Sequence, residues 1–392
     1  MSQKRNIVIF KEEGSYSCFP TLEQLADGRL VVPFTQRQWP SHYSKGRMRV
    51  MISDDSGESW QETDDRSLPS LWPGATGKFR CLLADGTWLD MGAGGHGGHF
   101  DAPEVRPASE RAEWQAKRYS TSDFENDPSR FYLAGKELHI GKSRDNGATW
   151  QEQTIATPDP MINLNGFRGL RLQDGTLLFP VGGVADYPDL DLSTMEGAVW
   201  RQYMTRSTDD GETWEWSQMI EDPHGIYTEE VTLLEVAPNR VLAMVRCHRP
   251  GPTGYLWQHW SEDGGRTWSQ PVETPVWGYP CHLLKLQDGR LLCTYGYRFK
   301  PAGIRAVLSD DGGWSWNIEN ERILRDDGGT PAQGWGPEQL ARFAVRGVAG
   351  ADLGYPFSTQ LADGTILTVY YFTGTDGITH AAATKWSADD DL

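Results

Sequence analysis

The chain has 392 residues, of which 38% are hydrophobic, 43 are glycine, 23 proline and 17 tryptophan, and its formal net charge is −17. That charge excludes a general affinity for nucleic acid or for anionic membrane surfaces, both of which require a basic face. Five cysteines (Cys18, Cys81, Cys247, Cys281, Cys293) without any C-x-x-C spacing argue against a disulfide framework and a zinc site, and read as buried thiols of a reducing compartment.

The N-terminal MSQKRNIVIFKEEG has an apolar stretch of only four residues, short of a secretory signal, and no later segment approaches the length of a membrane span. The expectation is a cytoplasmic protein with no membrane and no nucleic acid among its partners. From residue 25 onward two short patterns alternate. The first is an Asp-Gly turn between apolar runs: LADGRL (25–30), LADGTW (83–88), LQDGTL (172–177), LQDGRL (286–291) and LADGTI (361–366), with VAPNRV (236–241) at the matching place in the fourth module. The second is an eight-residue box, S-x-D-x-G-x-[ST]-W: SDDSGESW (53–60), SRDNGATW (143–150), STDDGETW (207–214), SEDGGRTW (261–268) and SDDGGWSW (309–316). Asp and Gly favour tight hairpins, the Ser and Asp side chains can bond turn amides, and the Trp can cover the hairpin base.

One module is therefore strand, Asp-Gly hairpin, strand, loop, strand, boxed hairpin, strand. Repeated radially, this predicts an all-β fold: a six-bladed β-propeller of four-stranded antiparallel blades spanning 1–392 as one domain. The sixth module ends in ITHAAATKW, where the box has decayed, and NIVIF is free to add a strand to that blade. Residues 96–136 hold neither pattern and read as an insertion in the second blade, with a seventh blade as the alternative.

If both hairpins turn at one end of each blade, the start of the first strand and the end of the second lie together at the other. Residues about eight before the turn Asp, and eight to eleven after it, then share that end. Eight before Asp27, Pro238 and Asp363 stand Phe19, Glu230 and Tyr355; the fifth module puts Pro280 there, beside Tyr279. Counting forward reaches Arg37, His96, Arg246, His248 and Arg298, the last next to Tyr297, while Arg80 and Arg168 fall within a residue or two of the slot. Arginine's planar fork suits carboxylates, so the implied partner is an acidic sugar or glycan. Strand alternation sends Glu229 and Glu230 to opposite faces, so only one can face the site, and register favours Glu230 with Glu229 as the fallback. In the insertion, GGHGGHFDAPE (94–104), His96, His99 and Asp101 are candidate acid/base residues. H-x-x-H with one Asp is a weak metal motif, and neither a metal nor another cofactor is expected.

The boxes resemble the Asp-box motifs of the sialidase (neuraminidase) superfamily, with BNR repeats, across nearly the whole chain. GYPFSTQLADG (354–364) looks like the segment in which sialidases carry their tyrosine nucleophile. The resemblance thus implies Tyr355 as nucleophile, Glu230 as the base that activates it, and Arg246 and Arg298 as two of three arginines holding the substrate carboxylate. A neutral phenol avoids repulsion by that carboxylate, and sialidases are the tyrosine exception among glycosidases. Two departures stand out. Cys18 in YSCFP occupies the place of the family's first arginine, for which Arg37 is a candidate replacement, and RQWPSHYSKG (37–46) lacks the acid/base aspartate, leaving His42 or Asp101. The expected function is an exo-acting sialidase-type glycoside hydrolase. The alternatives are a uronate-specific polysaccharide lyase and a non-catalytic glycan-binding propeller.

Overall fold

A computed structural model of the chain describes residues 4–38, 46–65, 68, 78–94, 105–119, 121–123, 128–133, 137–145, 147–186, 190, 197–222, 227–248, 254–336 and 352–389. The fold class is a six-bladed β-propeller of antiparallel four-stranded blades. The chain divides into two compact units, Met1–Ala75 with Gly254–Leu256 and Glu273–Leu392, and Thr76–Thr253 with Trp257–Val272.

The first unit holds blades one, five and six. Blade one runs Tyr16–Cys18, Leu30–Arg37, Gly46–Ser53 and Gln61–Glu62; blade five runs Cys281–Lys285, Leu291–Tyr297, Ala302–Ser309 and Arg322–Gly328. Blade six is Gly354–Gln360, Ile366–Thr373 and Thr379–Trp386, completed by the N-terminal Arg5–Phe10, which pairs with the last strand from Arg5↔Lys385 to Phe10↔Ala381. Leu30, Val32 and Phe34 of blade one pack with Leu367, Val369 and Ala383 of blade six, and Leu292 and Ile304 of blade five with Tyr370, Phe372 and Trp386. Burying apolar surface on both faces of each blade is what holds such stacks together.

The second unit holds blade two (Lys78–Leu82, Trp88–Gly94, Glu137–Ser143, Gln151–Ile155) and blade three (Met161–Gly166, Leu177–Ala185, Trp200–Ser207, Glu215–Asp222). It also holds the inner strands of blade four, Tyr227–Ala237 and Arg240–His248, whose outer strands are Tyr255–Ser261 and Val272–Trp277. Between the second and third strands of blade two lies a three-stranded sheet (Val105–Pro107, Thr121–Asp123, Arg130–Leu133) with the helix Arg111–Ala116. Trp114, Phe131 and Leu133 form its small core.

The boxes fold as their chemistry predicts. In the first, Ser53 Oγ donates to Asp55 Oδ1 (2.8 Å) and accepts from the Gly57 amide (2.8 Å), while Asp55 accepts from the Ser59 amide (2.9 Å) and hydroxyl (2.6 Å). The same network recurs at Ser143/Asp145, Ser207/Asp209, Ser261/Asp263 and Ser309/Asp311. The box glycine also makes room for the neighbouring blade: a Cβ on Gly211, at φ 75°, would stand 2.4 Å from Leu89 Cδ1. The turn glycine therefore serves both the left-handed backbone and the inter-blade packing.

Two imidazoles are buried among strands, His259 of blade four and His380 of blade six, and burial pushes each down to about 4. Because the folded value lies below the unfolded one, the unfolded chain binds more protons between these values. Their contribution is complete above about pH 6.5 and is lost as pH falls toward about 4. Lowering pH from about 7 to about 5 is thus expected to cost about 2 kcal/mol per histidine. Urea melts of wild type and His259→Gln check this; an equal loss in both would remove His259 from the account.

Candidate active site

The counting rule marks three residues, and the backbone treats them alike. Phe19, Glu230 and Tyr355 have φ of 55°, 54° and 51°, a left-handed conformation costly for side chains of this size. At each, the first strand carries one residue too many for its partner. Glu230 and Val231 lie between the pairs Glu229↔Arg246 and Thr232↔Met244, and Tyr355 and Pro356 between Gly354↔Tyr371 and Phe357↔Val369. In blade one, pairing stops at Cys18↔Thr35 and resumes at Glu23↔Val31. A bulge of this kind lifts a side chain out of the alternation and re-aims it. Backbone strain repeated at one position is a pointer to function.

In the first unit, the Tyr355 ring meets Phe19 edge-on at 4.7 Å and lies 5.7 Å from the Tyr371 ring. The Tyr371 hydroxyl donates to Asp352 Oδ1 (2.6 Å), and the Tyr16 hydroxyl donates to Asp352 Oδ2. Burial and then the Asp352 charge push both phenols well above the ordinary tyrosine value, so they remain protonated donors. Arg298, 4% exposed, donates from Nε to Leu353 O (3.2 Å), has Nη2 3.8 Å from Asp352 Oδ1, and lies over the Tyr279 ring at 5.2 Å. A Cβ placed on Gly354 would be 3.9 Å from Arg298 Nη2, so this arginine borders the Tyr355 backbone. Cys18 is fully buried, its thiol pushed up to about 12 by burial, with the Arg37 guanidinium hydrogen-bonded beside it. Tyr297 stacks under Arg305 at 3.4 Å and against Trp277 at 5.2 Å. A pocket of about 200 Å³ beside Tyr16 is lined by uncharged residues, among them Ser15, Gln38, Gln333 and Thr379.

In the second unit, Arg246 is 6% exposed, and its Nη1 lies 2.6 Å from Glu230 Oε2 and 3.2 Å from Glu229 Oε1. The expectation that alternation admits only one of the two glutamates is therefore corrected. The bulge at Glu230 cancels the alternation, and both carboxylates reach one guanidinium nitrogen. His248 ends the neighbouring strand, opposite Tyr227. Arg80 is engaged inside its own blade, 2.6 Å from Asp90 and packed on Trp88 and the box residue Trp150. Arg168 lies over the ring of Phe167 at 4.9 Å. His42, His96, His99 and Asp101 lie outside the described residues. Among the described residues, no group of three or more His, Cys, Asp and Glu side chains is placed to hold a metal ion.

The sequence reading did not mark Asp352, Tyr16 or Tyr371. One signal was available: eight residues after Asp363, by the rule that selected Arg37 and Arg246, stands Tyr371.

Several solved structures share this fold. A protein of unknown function from Dyadobacter fermentans superposes with a TM-score of 0.68 at 23% identity, covering 99% of this chain and 100% of that one. The K499G mutant of NanB sialidase from Streptococcus pneumoniae gives 0.58 at 14% identity, covering 98% and 71%. Penicillium chrysogenum α-L-arabinanase, complexed with arabinobiose, gives 0.58 at 11% identity over 100% of both chains. No curated protein matches the chain in sequence. A family model described as a BNR repeat-like domain matches residues 132–369, more than half of the length. The chain belongs to the BNR repeat-like domain family.

Proposed function

We propose that the chain is a glycoside hydrolase that cleaves a terminal, acidic sugar with Tyr355 as nucleophile. The observation that carries this reading is the strained, re-aimed backbone at Tyr355, bordered by Arg298. In the reaction the Tyr355 oxygen attacks the anomeric carbon as the bond to the leaving oxygen breaks, a general acid protonates that oxygen, and water then hydrolyses the tyrosyl glycoside. Glu230 takes the phenolic proton, a role resting on the shared slot and on the likeness to sialidases. His42 and Asp101 are the candidates for the acid.

A second reading, a neutral sugar, is favoured by the carboxylates the chain itself supplies to its arginines. Glu229 and Glu230 face Arg246, and Asp352 faces Arg298. The uncharged pocket beside Tyr16 and the fold likeness to an arabinanase also suit it.

The test is fluorescence release from methylumbelliferyl sialoside, glucuronide and arabinofuranoside by wild type and Tyr355→Phe. Release that the variant loses supports hydrolysis, and the best substrate decides between acidic and neutral sugar. Absence of release from every glycoside, with the ultraviolet absorbance of an unsaturated uronate appearing from a uronate glycan, would replace hydrolase by lyase.

A further inference from the structure

We propose that Trp277, Tyr297 and Phe299 form an aromatic platform for the sugar on the leaving-group side of the scissile bond, a neutral pyranose. The inference rests on the reading of the Tyr355 region as a glycosidase site and adds the next sugar of its substrate.

The three rings belong to the first unit and gather at one end of blade five. Tyr297 is the last residue of Leu291–Tyr297, Phe299 follows two residues later, and Trp277 closes the strand Val272–Trp277 just before Tyr279. The Trp277 and Phe299 rings lie 3.8 Å apart with a tilt of 30°, and Tyr297 stands 5.2 Å from the first and 6.1 Å from the second. Contacts lead from them straight to the site. Trp277 is 6.0 Å from Tyr279, Arg298 lies over the Tyr279 ring at 5.2 Å, and Arg298 borders Gly354, the residue before Tyr355.

The fold does not require an aromatic residue there. Eleven residues after the turn residue, where blade five has Phe299, the other modules have Gln38, His96, Ala185, Arg249 and Gly374. Nor are the rings packed away: Trp277, Tyr297 and Phe299 are half-buried, whereas Arg298 and Tyr355 are 4% and 7% exposed. A terminal sugar held at depth by Tyr355 sends its leaving oxygen, and whatever that oxygen carries, outward past this rim. An aromatic face suits a pyranose because the sugar's axial hydrogens form an apolar patch that lies flat on a ring, while its hydroxyls stay at the wet edge. The rings are also fixed before a ligand arrives. Arg305 lies over the Tyr297 ring at 3.4 Å and is paired with Glu321, which also accepts from the Tyr295 hydroxyl. Gly254 sits so close to the indole that a Cβ there would be 2.5 Å from Trp277 Cε2. Rings already held lose little freedom on binding. All three are uncharged and the Arg305 charge is matched by Glu321, so the platform offers stacking rather than charge, which selects a neutral ring.

The test takes the terminal sugar that the methylumbelliferyl series selects, linked in one substrate to methanol and in the other to lactose, with release followed by chromatography. Phe299→Leu and Trp277→Leu, which keep apolar bulk and remove a ring, are each expected to lower the ratio of kcat/KM for the lactoside over the methyl glycoside about tenfold, chiefly through KM. Phe299→Tyr keeps the ring and should keep the ratio. Taking a ratio cancels general loosening of the blade, which slows both substrates together, and either leucine variant decides the matter where the other fails to fold. A second measurement needs no turnover: with the aromatic protons of the protein saturated, magnetisation transfer to the ring hydrogens of free lactose is expected in wild type and lost in Phe299→Leu. An unchanged ratio in a folded leucine variant overturns the platform and leaves the glycosidase reading intact. Where wild type cleaves neither substrate the glycosidase reading falls, and the lactose signal decides alone: present in wild type and lost in the variant, it keeps the three rings as a sugar site, and absent from wild type it ends that as well.

Discussion

Tyr355→Phe is expected to lower kcat on the best methylumbelliferyl glycoside by about three orders of magnitude or more, with KM and melting temperature little changed. The substitution removes one oxygen and keeps the ring. The ring contacts that fix the side chain, edge-on to Phe19 at 4.7 Å and beside Tyr371 at 5.7 Å, are therefore preserved. A purely structural tyrosine would give the opposite pattern, with stability falling and turnover following it. Tyr371→Phe supplies that contrast, because its hydroxyl is committed to Asp352. That variant should lose about 1 kcal/mol or more in a urea melt through the lost charged hydrogen bond, with a much smaller effect on kcat. Undiminished turnover in Tyr355→Phe would dispose of the nucleophile assignment.

Arg246→Met is expected to destabilise the second unit by about 3 kcal/mol. Its guanidinium nitrogen lies 2.6 Å from Glu230 and 3.2 Å from Glu229, and all three side chains are largely shielded from water. Deleting the cation removes a partner that two like charges share, whereas deleting one glutamate keeps the guanidinium paired with the other. Glu229→Gln added to Arg246→Met is accordingly expected to restore part of the loss, a non-additivity that a double-mutant cycle in urea measures. A loss below about 0.5 kcal/mol for Arg246→Met would mean that the pair is solvated and contributes little.

The fold was legible because it is written many times over. Asp-Gly turns and boxes recur with the spacing of one blade, and the box hydrogen bonds involve only residues within one octapeptide, such as Ser53 to Asp55. The same spacing located Phe19, Glu230 and Tyr355, since a fixed distance from a turn is a local property. Partners contributed from elsewhere in the chain were not legible. Asp352 precedes the last blade's first strand and its two phenols come from residues 16 and 371; the turn spacing reaches Tyr371 but neither Asp352 nor Tyr16. The glutamate pair shows the other limit. Alternation is a rule about regular strands, and a bulge, which leaves no clear mark in the residues EEV (229–231), suspends it.

That suspended alternation has an evolutionary reading. A residue at the bulge answers to no cross-strand neighbour, so its identity can change without disturbing the ladder on either side. Phe19, Glu230 and Tyr355 show the result: a hydrocarbon, an acid and a phenol presented by nearly the same backbone, with φ between 51° and 55°. Duplication of one blade would copy the mount along with the sheet, and each copy could then acquire its own chemistry by a single codon change. Selection for a new substrate on this scaffold has a short list of places to act, and the rest of the blade can stay as it is.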